Sequence, residues 1–175
     1  MNWCWPLPGT PLQDIPVGDH PGAFGAPRKY DTHTGVDLYC QDGQEVHAVE
    51  DGMVVAIEPF TGPEADSPWW QDTQAVLVKG ASGVVLYGEV KPNQYMCHLY
   101  DRRGKGGFPE EVRVRAGDII GWVTRVLKED KGLPTTMLHL ELYGPETKTA
   151  VWWGKGEARP KVLLDPTPFL LEIER

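Results

Sequence analysis

A chain of 175 residues, 41% of them hydrophobic, is long enough to close a hydrophobic core, and its net charge of −8 argues against a general nucleic-acid binder, which needs a basic surface. Its 20 glycines and 16 prolines favour short strands and turns over long helices. No apolar run reaches the ~18 residues that span a bilayer, and Cys4, Cys40 and Cys97 form neither an even disulfide framework nor a Cys-x-x-Cys knuckle.

The opening Met1-Asn2-Trp3-Cys4-Trp5-Pro6 lacks the basic segment and apolar stretch of a secretory signal. The expected location is therefore the cytoplasm, or an exterior reached by another route, or else the sequence is that of a mature or recombinant form. Residues 1–30, punctuated by Pro and Gly, predict an irregular lead-in. Segments 46–49 and 53–57 flank Glu50-Asp51-Gly52 and predict a hairpin. Segments 75–78 and 84–90 flank Lys79-Gly80-Ala81-Ser82-Gly83 and predict a second. Segments 112–114 and 119–123 flank Arg115-Ala116-Gly117-Asp118 and predict a third. Residues 123–131 have room for a short helix, and Met137–Tyr143 alternates as a strand. Two stretches, 59–72 with Trp69-Trp70 and 91–111, rich in Gly and charge, read as loops inserted between strands. The basic cluster Arg102-Arg103-Gly104-Lys105 reads as part of such a solvated loop. With no repeat or linker, the pattern predicts a single mainly β domain, an antiparallel sheet or sandwich.

Three segments carry chemistry-bearing side chains. His33-Thr34-Gly35-Val36-Asp37 holds two good zinc ligands. Gly35 disfavours a helix, so the pair sits where a loop enters a strand, and residues four apart on a strand share a face. Such a string is also common by chance as a polar turn. In Met137–Tyr143, alternation puts Leu138, Leu140 and Leu142 on one face and Met137, His139 and Glu141 on the other. His139 is then held rigidly on a strand, with Glu141 placed to orient it from behind. In Val85-Leu86-Tyr87-Gly88-Glu89-Val90 the same alternation groups Val85, Tyr87 and Glu89. Glu89 is a candidate base, a fourth ligand or a surface charge.

These segments, in this order, resemble the lysostaphin/LytM-type zinc endopeptidases, over about residues 24–171. Phe24-Gly25-Ala26-Pro27-Arg28 is similar to that family's FGxR lead-in, and His33 to Asp37 to its HxxxD motif. Residues 43–55 follow its next strand pair, and Ala116-Gly117-Asp118-Ile119-Ile120-Gly121-Trp122-Val123 resembles its AGxxIGxVG segment. Leu138-His139-Leu140-Glu141 resembles the end of its HLHFE motif, and Leu164-Asp165-Pro166-Thr167-Pro168-Phe169-Leu170 its DPxPxL closure. The resemblance implies a small antiparallel sheet of the duplicated hybrid motif type with a loop-walled groove. It also implies Zn²⁺ on His33, Asp37 and His139, and cleavage of peptidoglycan peptides by zinc-activated water. Trp69, Trp70 and Tyr87 become candidate substrate contacts. The missing signal then fits a phage-derived protein released by another route to act at the cell wall. Oligomeric state is not set by these features.

The departures from the family are specific. Its two further catalytic histidines fall here on Met137 and, by the strand alignment, on Glu89. A shifted alignment would use His98 of Met96-Cys97-His98-Leu99 instead. A thioether neither donates a hydrogen bond nor shuttles a proton. Either Glu89 acts as general base, with His98 on its loop as oxyanion donor, or Glu89 fills the fourth metal position. In the second case the domain binds peptidoglycan or a protein without cutting. Biotinyl/lipoyl carriers share hairpins at fold level, but Lys79 lies before its turn rather than at a hairpin tip.

Overall fold

A computed structural model describes residues 3–10, 15–67, 71–126 and 135–173. Its elements in chain order are β1 (Val36–Tyr39), β2 (Glu45–His47), β3 (Gly52–Thr61), β4 (Thr73–Gly80), β5 (Val84–Pro92), α1 (Gln94–Arg102), β6 (Arg113–Val114), β7 (Ile119–Val123), β8 (Met137–Tyr143), β9 (Leu163–Leu164) and α2 (Thr167–Leu171). The nine strands form one antiparallel sheet along the path β1-β8-β5-β4-β3-β6; β7 bridges β2 and β5, and β9 lies on β8. The mainly β, antiparallel fold class expected from the alternating pattern is what the chain adopts. None of the described helices is long and apolar enough to cross a membrane.

The two faces of the sheet carry different loads. Leu138, Leu140 and Leu142 of β8 join Val36, Leu38, Val85 and Tyr87 in the larger apolar cluster. On the other face a smaller cluster gathers Leu77, Val84, Leu86, Tyr143 and Leu163, with Phe60, Val151 and Trp153 against it. β8 lies between β1 and β5 and is buried along its whole length. Its polar row is therefore largely withdrawn from solvent, and each of its polar groups needs a partner.

One of the three expected hairpins forms as a ladder. β4 and β5 pair antiparallel, with Lys79 opposite Val84 and the Gly80 N–H donating to Gly83 O at 2.8 Å. β2 instead pairs with β7, and β6 with β3. The turns do reverse the chain, but their side chains are held by other loops. Glu50 accepts the Ser82 N–H at 3.1 Å, and Asp51 Oδ1 accepts the Ala116 N–H at 2.8 Å. Local turn residues report a reversal; which strands then pair depends on the apolar faces each must cover.

The 91–111 stretch is not a structureless insert, because it contains α1. Asn93 caps that helix by accepting the Tyr95 N–H at 3.0 Å, and Met96 anchors it in the core. The helix expected at 123–131 is absent where the chain is described: Val123 ends β7, 124–126 are irregular, and 127–131 lie outside the described residues. The 59–72 stretch is shorter than expected, since β3 runs to Thr61 and β4 begins at Thr73. The lead-in is irregular yet docked: Trp3 stacks on Phe169 of α2 with ring centroids 4.9 Å apart.

Candidate metal centre

Antiparallel pairing of β1 with β8 sets Asp37 directly opposite His139. His33 lies four residues before Asp37, where the lead-in enters β1. Gly35 makes the approach possible: a Cβ there would stand 2.4 Å from Leu140 O and 3.0 Å from His139 Nε2. The outcome is three ligand atoms at one point. His33 Nε2 is 3.1 Å from Asp37 Oδ1 and 3.1 Å from His139 Nδ1, and His139 Nδ1 is 2.9 Å from Asp37 Oδ1. Donors on a tetrahedral zinc ion at ~2.0–2.1 Å lie ~3.3 Å apart. The triangle is slightly tighter than that, and a divalent metal could be held by these three buried residues.

Each candidate ligand is oriented from behind. His33 Nδ1 lies 2.8 Å from Ala23 O, and a carbonyl only accepts, so Nδ1 carries the proton and Nε2 faces the centre. His139 Nε2 lies 2.9 Å from Glu141 Oε1, which likewise leaves Nδ1 toward the centre. Arg28 Nη2 donates to Asp37 Oδ2 at 2.9 Å, so Oδ1 is the oxygen that points inward.

The electrostatics of the cluster follow from this wiring. Burial lowers His33 and leaves it neutral at ordinary pH, against the pull of Asp37. Burial alone would lower His139 as well. Its hydrogen bonds to Asp37 and Glu141 win and push it up to about 10. Burial would raise both carboxylates, but the histidine bonds hold Asp37 far below its usual value, and His139, Thr34 and Tyr143 hold Glu141 below its own. Without a metal the centre therefore stores one proton on His139, between two carboxylates.

Glu89 reaches the same place by an irregularity. Strict alternation from Tyr87, whose partner is Leu140, would turn Glu89 toward the larger core. Instead β5 gains a residue relative to β4 between Tyr87 and Val90, and Glu89 takes a positive φ of 62°. There β5 leaves β8 and joins β7. The carboxylate swings to the metal face, where Glu89 lines a cleft of about 1330 Å³ with Arg28, Tyr30, Phe60, Met137 and Trp152 as well as the three ligands. Its Oε2 is buried with no hydrogen-bond partner among the described residues. Burial and the Asp37 charge push it up to about 8, against the opposing charges of His139 and Arg28.

The other expected site residues lie elsewhere. Tyr87 is fully buried in the larger cluster, and its hydroxyl accepts the Val49 N–H at 2.8 Å, so it does not face the cleft. Tyr87 does share a face with Val85, as alternation predicts, but that face is the core rather than a substrate wall, and the bulge separates Glu89 from both. His98 sits exposed on α1, edge-on to Phe108 at 5.3 Å, and does not line the cleft. Trp69 and Trp70 lie outside the described residues. Met137 lines the cleft at the position where the family resemblance implies a further histidine.

Sequence reasoning passed over Arg28, Thr34, Phe60 and Tyr143. Arg28 stood in the segment read as a lead-in. Tyr143 follows from extending the alternation of β8 by two residues. Nothing local marks Phe60, whose ring lies 5.4 Å from that of His139 and fills the space a Gly88 side chain would need. Trp152, 65% exposed on the cleft wall, is likewise placed by tertiary contacts alone.

No family model matches this chain, and no curated protein does. Among solved structures it is similar to Helicobacter pylori Csd3. The orthorhombic crystal form gives 18% identity, a TM-score of 0.45, and coverage of 90% of this chain and 37% of that one. The hexagonal form gives 20% identity, a TM-score of 0.43, and coverage of 90% and 36%. The chain thus spans little more than a third of the length of those structures.

Proposed function

We propose that this chain is a zinc-dependent endopeptidase acting on peptidoglycan peptides, with Glu89 as its general base. The observation that carries the reading is the convergence of His33 Nε2, Asp37 Oδ1 and His139 Nδ1 on one point beside an open cleft. Two imidazoles, both neutral once His139 gives up its Nδ1 proton, and one carboxylate, each backed by an outer partner, are a donor set suited to zinc with a position left over. The motif order from Phe24 to Leu170 supplies the substrate class. Zinc held there would supply Lewis acidity to a peptide carbonyl.

The chain's own residues divide the remaining work. Glu89 carries a buried oxygen with no partner, so it is ready to take a proton from attacking water once a nearby cation favours its charged form. Glutamate performs this step in zinc peptidases of the His-Glu-x-x-His type. Arg28 keeps Asp37 inward, and Trp152 with Tyr30 offers aromatic surface to substrate along one wall. The test is release of new amines from purified peptidoglycans of several chemotypes, abolished by chelator and restored by Zn²⁺. Absence of release by metal-loaded protein on all of them counts against the reading.

A second reading has its own observation. Among the described residues the only histidines lining the cleft are His33 and His139, both assigned to the metal. Glu89 Oε2, unpartnered among the described residues, could then close the coordination sphere, giving a metal-stabilised binder of peptidoglycan or of a protein. Glu89→Gln separates the two: a base loses turnover and keeps its zinc, whereas a ligand loses zinc affinity.

A further inference from the structure

The metal-facing row of β8 continues past Glu141. Tyr143 follows two residues on, so its side chain shares that face, and it is fully buried in the smaller cluster. Its hydroxyl serves two partners. It donates to Glu141 Oε2 and accepts the Val151 N–H at 3.2 Å. Glu141 Oε1 meanwhile accepts from His139 Nε2 at 2.9 Å and from the Thr34 hydroxyl. Both oxygens of this carboxylate are engaged, by His139 and Tyr143 from β8 itself and by Thr34 from the segment that leads into β1.

A carboxylate 1% exposed is costly to bury, and a well-packed apolar residue would fill the space without that cost. What an apolar residue cannot do is hold a proton on one particular imidazole nitrogen. An acceptor-only group beside Nε2 keeps the ring's outer proton there and leaves Nδ1 bare for a cation. Tyr143 also ties the cleft wall to this arrangement. The wall is fastened to β3 by Glu58, which accepts the Ala150 N–H at 2.8 Å and the Thr149 hydroxyl at 2.9 Å. One residue further on, Val151 is fastened to Tyr143 and thereby to the ligand. The exposed Trp152 follows directly.

We propose that Glu141 and Tyr143 are positioning residues of the metal centre, with Tyr143 holding Glu141 against His139 Nε2 and registering the 151–153 wall against the same ligand. The proposal rests on the metal reading of the cluster and not on which bond the protein cuts.

The experiment measures zinc affinity by chelator competition on the full chain, with Glu141→Gln and Tyr143→Phe. It adds ring-nitrogen NMR of the zinc-loaded protein and amide exchange at Val151. Glutamine presents both an acceptor and a donor, so it tolerates the tautomer that turns a proton toward the metal. Expected are a zinc affinity lowered ~10–100-fold in Glu141→Gln and, in wild type, a His139 proton on Nε2. Tyr143→Phe keeps the ring; it should weaken zinc less and speed Val151 exchange. Affinity within about twofold of wild type in Glu141→Gln, or a proton on His139 Nδ1 in the zinc-loaded protein, overturns the proposal. If Glu141→Gln does not fold, Tyr143→Phe combined with Thr34→Val strips two donors from the same carboxylate, and unchanged zinc affinity overturns it equally. A chain that binds zinc but releases no peptides defeats the peptidase reading and leaves these readouts standing. One that binds no zinc defeats both.

Discussion

Asp37 and His139 are direct cross-strand partners on β1 and β8, and their facing atoms, Asp37 Oδ1 and His139 Nδ1, are 2.9 Å apart. Two of the three candidate ligands are thus aligned by backbone register. A slip of one residue would set Leu138 or Leu140 opposite Asp37 and turn His139 into the larger core. The site and the sheet are specified together, and the expected effects of perturbation follow from that.

Metal binding should release protons. His139, pushed up to about 10, is charged at neutral pH in the metal-free centre and must give up its Nδ1 proton to a cation. Calorimetry at pH 7.5 in buffers of different ionisation enthalpy should show about one proton released per zinc from this group, and affinity falling as pH drops. No buffer dependence would contradict the wiring.

The metal-free fold should lose stability as pH rises. His139 is raised from 6.5 to about 10, so its contribution is complete below the lower value and disappears through the upper. Glu89 is raised from 4.5 to about 8, so the native state binds the extra proton across that window and also loses stability as pH climbs. Both act in one direction. Melting temperature with chelator should fall between pH 6.5 and 10, and zinc should flatten the fall.

Glu89→Gly should separate stability from function. Glycine accepts the φ of 62° at no steric cost and removes a buried carboxylate. Relief of a strained backbone is worth ~1–3 kcal/mol, partly offset by glycine's greater unfolded-state entropy. The chelated variant at pH 9 should melt above wild type, while peptide release falls to background.

Arg28→Met should weaken zinc binding ~10–100-fold with little change in melting temperature of the chelated protein. Arg28 is partly exposed, and its bond to Asp37 Oδ2 serves orientation more than packing. Gly35→Ala is the harsher change. Its Cβ meets backbone at Leu140 O, which cannot rotate away, so a loss of ~1–3 kcal/mol in stability is expected together with loss of metal.

Tyr87→Phe and His98→Ala test residues that sequence alone nominated for the site. Tyr87→Phe leaves the buried Val49 N–H without its acceptor, at a cost of ~1–3 kcal/mol, with zinc affinity unchanged. His98→Ala, on the exposed side of α1, should alter neither zinc affinity nor turnover. A fall in turnover with His98→Ala would show that α1 reaches the cleft during the reaction.

Much of this was legible in the chain itself. Period-two alternation marked β8 and its two faces, the β4–β5 turn marked a hairpin, and His33, Asp37 and His139 stood out by type and spacing. Those features are local: on a regular strand, residues two and four apart share a face. Tertiary structure decided the rest. It chose β7 for β2 and β3 for β6, placed Ala23 O, Arg28 and Glu141 behind the ligands, and took Tyr87 into the core. Above all it introduced one extra residue in β5. That bulge breaks the alternation from which the face of Glu89 was read, and it brings a carboxylate to the metal face by a backbone conformation that local sequence does not favour. A local pattern can report which face a regular strand presents; where the strand is irregular, only the partners it pairs with determine the face.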